Sequence, residues 1–303
     1  ARLAWARGRL AVVNHLGLRR TVEGTAASFD IQCSRNPGGG RAAAASRSLA
    51  GLAVAEVAER ARQRQAPQSA GVEGPPEEPV PLVLAPEAAA RLVELLNRHA
   101  LGADSFHDGT SPLRGNIGQA VFHPDVSLRD DGLDPRGLAF PFDLMGTPKG
   151  PVDLVAAGVF LTPAVDPLLA ARTGLVVTPH QLGPGEAQAT NLFLMPGDLP
   201  EPELLRAADG GIWVAALDPV ECFAVAGLRF RAVARGARRI RGGALDRALP
   251  DLVWEDSVLD VLNRVVGIGA EPRPVASGDL FLGATAAPAL AVGRVQGLRP
   301  LFD

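Results

Sequence analysis

The segment PLVLAPEAAARLVELLNRH, residues 81–99, reads as a short strand handing over to a helix. Pro81 to Leu84 is an apolar run of strand length, and Pro86 sits in a first helical turn, where a missing backbone donor costs nothing. Glu87 lies near the positive end of that helix, and Leu92, Leu95 and Leu96 recur on one inward face. The pairs Glu87/Arg91 and Glu94/Arg98 are four residues apart, which predicts two ion pairs on a wet side. Upstream, Pro67, Gly71, Gly74, Pro75, Pro76 and Pro79 sustain neither helix nor strand and predict a linker over 67–79. Before it, Leu10, Val12 and Val13 lead into the turn Asn14-His15-Leu16-Gly17, and Thr21 to Ile31 supply the second arm of a hairpin. After the turn Pro37-Gly38-Gly39-Gly40, the spacing of Leu52, Val54, Val57, Ala58 and Ala61 predicts an amphipathic helix over Ala50 to Arg64.

Downstream, Gly102 to Leu161 is rich in Gly, Pro and Asp with short apolar runs, which predicts strands and functional loops. A short helix is capped by Asp166, opened by Pro167 and stopped by Gly174. Another starts near Glu201 to Glu203, ends at Gly210 and feeds a strand over Ile212 to Leu217. A last helix is predicted from Glu255 to Val266, closed by Gly267. Strands and helices interleave without strict alternation, so the fold class is α+β. The organisation is a partial hairpin-plus-helix domain over 1–66, the linker, and a strand-rich domain over 80–303.

Composition narrows the function classes. The 303 residues carry a formal charge of −3, which offers no general attraction to phosphate backbones and argues against nucleic acid as a partner. No apolar run approaches the roughly 20 residues of a membrane-spanning helix, and the cytoplasm is the expected compartment. Cys33 and Cys222 are far apart in no metal or redox spacing, so two buried thiols are expected. Arg229, Arg231, Arg235, Arg238, Arg239 and Arg241 form a basic stretch, but alternation with Leu228 and Phe230 predicts a half-solvated strand. Lys149 is the only lysine, and tyrosine is absent. Asp104, His107 and Asp108 crowd one loop and read as a solvated turn in preference to a cation site. His180 with Cys222 would be a thiolate–imidazolium pair only if the fold joined them. His15 and His123 lie beside turn residues and read as surface groups. No phosphate loop, dinucleotide fingerprint or nucleophile elbow is present.

Several blocks occur in an order that resembles the TldD/PmbA family: SLRDD (127–131), GL (137–138), PFDLMG (141–146), VAAGVFL (155–161), TNLFLMPGD (190–198), ELL (203–205), GDL (278–280) and APAL (287–290). The family was once described as modulators of DNA gyrase and is now understood as peptidases. The resemblance covers residues 80 to 303, and the preceding hairpin and helix fit the end of the family's N-terminal domain. It marks Asp130, Asp131, Asp143, Gly146, Asn191 and Gly197 as substrate-channel or family-motif candidates. Leu144 and Met145 stand where the family usually has an acid between the aspartate and the glycine. The chain starts without methionine and lacks most of that N-terminal domain, which predicts a shortened or partly represented chain.

Catalytic members of the TldD type use an HExxxH helix and a late cysteine to hold zinc, with the glutamate as base. Here the corresponding helix, Glu87 to His99, has one histidine, and Gly267 to Leu298 has no cysteine. The resemblance therefore implies the TldE/PmbA branch: no cofactor in this chain, and zinc in a TldD-like partner subunit. The implied function is a catalytically silent subunit that shapes the channel for unfolded peptides or peptide-conjugated metabolites. An enzyme with a non-family active site and a homo-oligomeric binding or scaffold protein are the alternatives.

Overall fold

A computed structural model describes residues 1–33, 38–66, 72–76, 79–276 and 283–301. Pro37, the linker positions 67–71 and 77–78, and the block Gly278-Asp279-Leu280 lie outside the described residues. The α+β class holds.

The strand Val80–Leu84 is central in a six-stranded sheet ordered 244–248, 238–241, 212–214, 80–84, 290–295, 265–268. It runs parallel to Ile212–Val214 and antiparallel to Leu290–Val295. Alternation sends Leu82 and Leu84 into the main core and Val83 into a second cluster with Trp213 and Leu204, which is why the run is apolar on both faces. From this strand the chain enters α2 (Pro86–Leu96), in which every residue except Arg91 and Glu94 is buried. A helix apolar nearly all round is a core helix, and α2 packs on Ala216–Ala224, Arg273–Ala276 and Ala284–Ala287. It continues as one π-helical turn, Asn97–Leu101.

The expected Glu87/Arg91 pair does not form. The first turn of α2 lies under the strand Arg41–Ser46, so Glu87 is buried and takes Arg64 Nη1 at 2.9 Å. Glu94 keeps Arg98 at 3.4 Å and also accepts from Arg91 at 2.6 Å.

A second six-stranded sheet is ordered 273–276, 284–287, 191–194, 128–131, 151–156, 159–160. A four-stranded sheet holds Ala216–Ala224, Arg229–Arg235, Leu252–Ser257 and Arg299–Pro300. The hairpin Arg2–Val13 with Arg19–Gln32 is joined by Arg41–Ser46 into a three-stranded antiparallel sheet. Asn14 closes its turn by accepting from the amides of Leu16 and Leu18. The helix α1 (Val54–Gln63) lays Val57 and Ala61 on Ala27, Phe29 and Ala42 of that sheet.

Three helical boundaries move. The helix expected from Ala50 is split, because Ala53 adopts φ 46° and separates a 3₁₀ turn, Ala50–Leu52, from α1. Asp104 and His107 lie in a short helix, α3 (Ala103–His107), not in a loop. The helix expected over Glu255 to Val266 shrinks at both ends to α6 (Val258–Asn263): Glu255 to Ser257 complete a strand paired with Arg229–Arg235, Ser257 Oγ caps the amide of Asp260, and Val265 to Gly267, the expected stop included, belong to the strand Val265–Ile268.

The local stop and start signals are obeyed elsewhere. Asp166 caps α4 (Pro167–Thr173) by accepting from Leu169 N at 2.9 Å, and Gly174 ends it at φ 76°. The α5 helix spans Glu201–Ala207. Asp166 also bonds His107 Nε2 at 2.8 Å, so Asp166→Ala removes a cap and a part-buried histidine hydrogen bond together. Urea denaturation is expected to show a loss of about 1–2 kcal/mol.

The basic stretch is a half-solvated strand at its start, with Phe230 buried and Arg229 and Arg231 exposed. Four of its six charges meet acids: Arg231 meets Glu255, Arg235 meets Asp251, and Arg239 and Arg241 meet Glu73. That last pair also ties residues 72–73 of the expected linker to the sheet, where Val72 bridges Ala248.

Candidate functional site

Three of the residues marked from the sequence meet in one buried polar knot. Asp130 lies mid-strand and is 1% exposed. Its Oδ1 accepts from the amides of Thr190 (2.8 Å) and Asn191 (2.6 Å), and its Oδ2 accepts from His180 Nε2 at 3.1 Å. Lys149 Nζ stands 3.7 Å from the same oxygen and donates to Thr190 Oγ1. Burial alone would raise the pKa of Asp130, but Lys149 foremost, then His180 and the Asn191 amide, outweigh it and hold the carboxyl well below its ordinary range. Asn191 extends the knot by accepting from Leu138 N at 2.8 Å and donating to the carbonyls of Asp131 and Asp134. Asp131 itself is half-buried and accepts from Leu133 N at 3.0 Å.

Of the other three candidates, Gly146 and Gly197 stand apart from that knot, and Asp143 borders it, lining a small cavity with Lys149, His180 and Thr190. Asp143 is buried and organises a turn, accepting from the amides of Met145 (3.0 Å), Thr147 (2.9 Å) and Gln181 (3.2 Å). Gly146 at φ 86° lets the hairpin tip close on this turn, since a Cβ would stand 2.5 Å from Leu18 Cδ2. At Gly197 a Cβ would lie 2.4 Å from the carbonyl oxygen of Ile268, and its amide donates to Gly269 O at 3.0 Å. Gly197→Ala is expected to cost about 1–3 kcal/mol in thermal or urea unfolding, because a backbone atom has to move. His180 spends its other ring nitrogen on Thr178 Oγ1 at 2.7 Å, which leaves it none for Cys222. Cys222 and Cys33 are half-buried free thiols.

An open cleft of about 510 Å³ lies elsewhere, where the hairpin sheet faces α2 and the second large sheet. Its floor is small and apolar, with Ala43 and Ala44 on one sheet and Val275 and Ala276 on the other. Both flanking strands, Arg41–Ser46 and Arg273–Ala276, are terminal in their sheets; the outward groups of the first are taken at Arg41 and Ala43 by Arg64, Arg60 and Glu87, which leaves Arg273–Ala276 as the edge without a ladder partner. Its α2 wall is the ladder Arg91–Glu94–Arg98, and Arg41 spans it from Asp30 (3.1 Å) to Asp218 (2.8 Å). Burial opposes the charge on Arg41, but Asp218 and Asp30 prevail and hold its pKa above the ordinary value. None of the six marked residues lines this cleft, and the charged residues that do carried no sequence signal beyond the helical spacing of Glu94 and Arg98.

The donor set in the cleft does not suit zinc. Both oxygens of Glu94 already accept from guanidinium groups, and the four arginines lining the cleft repel a dication. His99 supplies one imidazole beyond the end of α2, its pKa lowered by burial and by Arg98. Among the described residues no group of three or more His, Cys, Asp or Glu is placed to hold a metal. No helix among them is long and apolar enough to cross a membrane.

A family model described as the PmbA/TldA metallopeptidase C-terminal domain matches residues 77–297. A curated relative from Methanothermobacter thermautotrophicus, named a metalloprotease, is 25% identical over 203 residues, which are 66% of this chain and 44% of the relative. Among solved structures, a Thermotoga maritima protein described as a modulator of a DNA gyrase superposes with a TM-score of 0.80 at 25% identity, covering 94% of this chain and 65% of that one. TldE from Thermococcus kodakarensis gives 0.81 at 22% identity over 98% of this chain and 67% of its own, a likeness of fold. The chain thus spans less than half of the curated relative and about two thirds of the Thermotoga protein. Over the greater part of its length, this chain belongs to the PmbA/TldD metallopeptidase family.

Proposed function

We propose that this chain is the non-catalytic, TldE-like subunit of a heteromeric TldD/TldE-type zinc metallopeptidase. In that assembly it covers and shapes the channel through which extended peptides, or small peptide-conjugated metabolites, reach a zinc subunit. The observation that carries the reading is the cleft beside the open edge of Arg273–Ala276, walled by an Arg91–Glu94–Arg98 ladder where a catalytic helix needs metal ligands. An unpaired edge is a natural bed for an extended chain, because main-chain hydrogen bonds bind it without regard to sequence. The alanines beside the edge leave room for varied side chains, which suits a channel for unfolded peptides.

The test is a pull-down with this chain as bait, read by mass spectrometry. The reading predicts capture of a family relative that bears an HExxxH helix, in stoichiometric amount. Specific capture of no such relative, together with peptide cleavage by this chain alone, overturns it.

A further inference from the structure

Away from the cleft, α3, α4 and the loop around Arg114 border a second open cavity of about 290 Å³, which shares no lining residue with the first. That volume is near the lower bound of small-molecule pockets, about 300 Å³. Phe106, Ile117, Leu169 and Leu175 form its apolar part. His107, Arg114, Arg172 and Thr173 complete the wall with Gly115. The sequence makes this wall basic, since residues 109–118 and 167–178 contain two arginines and no acid.

Arg172 is placed by a relay that begins in the core. Asp166 is 1% exposed. Burial opposes its charge, but the Leu169 amide and then His107 outweigh it and hold its carboxyl below the ordinary range. It bonds His107 Nε2 at 2.8 Å, and His107 Nδ1 stands 3.3 Å from Arg172 Nη1. A guanidinium has donors only, so Nδ1 accepts and the ring proton sits on Nε2, facing Asp166. The imidazole thereby holds the Arg172 guanidinium at the end of α3. Arg114 reaches the same end, because a Cβ on Gly109 would collide with its Nη1, and the glycine at φ 70° keeps that place open. Among the described residues neither Arg114 nor Arg172 pairs with an acid, and the Arg114 guanidinium has no hydrogen bond. Asp104 and Asp108, the acids of α3 and its C-cap, lie outside the wall. Two cations brought together without an acid repel each other, and an anion received between them relieves both.

The rest of the wall selects among anions. A fully hydrated phosphate gains nothing from a phenyl ring and three aliphatic side chains. A carboxylate matches the planar donor fork of a guanidinium, and a hydrocarbon body attached to it covers the apolar part. We propose that this cavity binds an alkyl carboxylate, its carboxyl group received by Arg114 and Arg172 and its hydrocarbon lying on Phe106, Ile117, Leu169 and Leu175. The site stands apart from the peptide channel and does not depend on it. A free aliphatic acid and the carboxyl end of a peptide with an aliphatic last residue offer the same chemistry.

NMR titration of the isotope-labelled full chain, read at the amides of residues 103–118 and 167–176, tests it with small probes. Hexanoate is expected to bind at least about tenfold more tightly than hexanamide, the effect of one charge-assisted hydrogen-bonded group. Arg114→Gln and Arg172→Gln, both at exposed positions, should each weaken hexanoate by about tenfold and leave hexanamide unchanged. Inorganic phosphate should bind more weakly than hexanoate. The peptide N-acetyl-Ala-Ala-Leu separates the two sources: its binding extends the site to chain ends, its exclusion restricts the site to free acids, and either result supports the carboxylate subsite. Equal binding of hexanoate and hexanamide overturns the proposal, because the cavity would then read hydrocarbon alone. Phosphate bound as tightly as hexanoate overturns it too, since the wall would then receive any anion. Unchanged hexanoate affinity in both variants, or no response to any probe, likewise overturns it.

Discussion

Asp130→Asn is expected to lower the stability of the chain by about 3–5 kcal/mol, measured by urea denaturation. The asparagine oxygen replaces Oδ1 and still accepts from Thr190 N and Asn191 N. Its amide nitrogen, however, replaces the oxygen that faces His180 Nε2 and Lys149 Nζ. Lys149 then remains a buried cation with the Thr190 hydroxyl as its partner, and the cost is that of an uncompensated buried charge. The same contacts fix a pH dependence. The folded pKa of Asp130 lies far below the ordinary 3.8, so its contribution is fully present above that value and is lost as pH falls below it toward the folded pKa. Wild-type stability should fall steeply below about pH 4 on this account, and the variant should lose less over the same interval.

Arg64→Ala is expected to cost a comparable amount, about 3–5 kcal/mol. Arg64 bonds Glu87 Oε1 and the carbonyl of Arg41, each at 2.9 Å, and its guanidinium lies 5.4 Å from the ring centre of Trp213. It therefore fastens the end of α1 to the strand Arg41–Ser46 and to the first turn of α2 at once. Its removal leaves the Glu87 carboxylate buried with one long amide bond, from Ala43. Hydrogen exchange should show the loss locally, with protection falling over residues 41–64 before the large sheets are affected. Replacing both partners with apolar residues of similar size, Arg64→Met with Glu87→Leu, should recover most of the loss, because no unpaired charge then remains.

What the sequence revealed was local. The caps at Asp166 and Gly174, the Asn14 turn and the strand-to-helix passage at 80–96 each rest on signals a few residues long, and all appear where those signals fall. Ala53 misled because nothing in an alanine announces a left-handed backbone, and Glu255 misled because strand and helix spacing overlap in a short apolar run. The site was less legible. Asp130, Lys149 and His180 belong to separate segments, so their meeting is a property of strand order and not of spacing. Glu87 looked like the exposed member of a helical ion pair, and only the strand laid over it makes it a buried partner of Arg64. Family resemblance reached the correct family and pointed to Asp130, Asp143 and Asn191, whose geometry is that of an internal framework.

Zinc analysis of this chain purified alone and purified with its captured HExxxH-bearing relative tests the central claim most directly. The account predicts zinc and peptide cleavage in the complex only, both lost with chelation and both abolished by substitution in the relative. Stoichiometric zinc held by this chain's own side chains, with peptide cleavage in the absence of any partner, would contradict it.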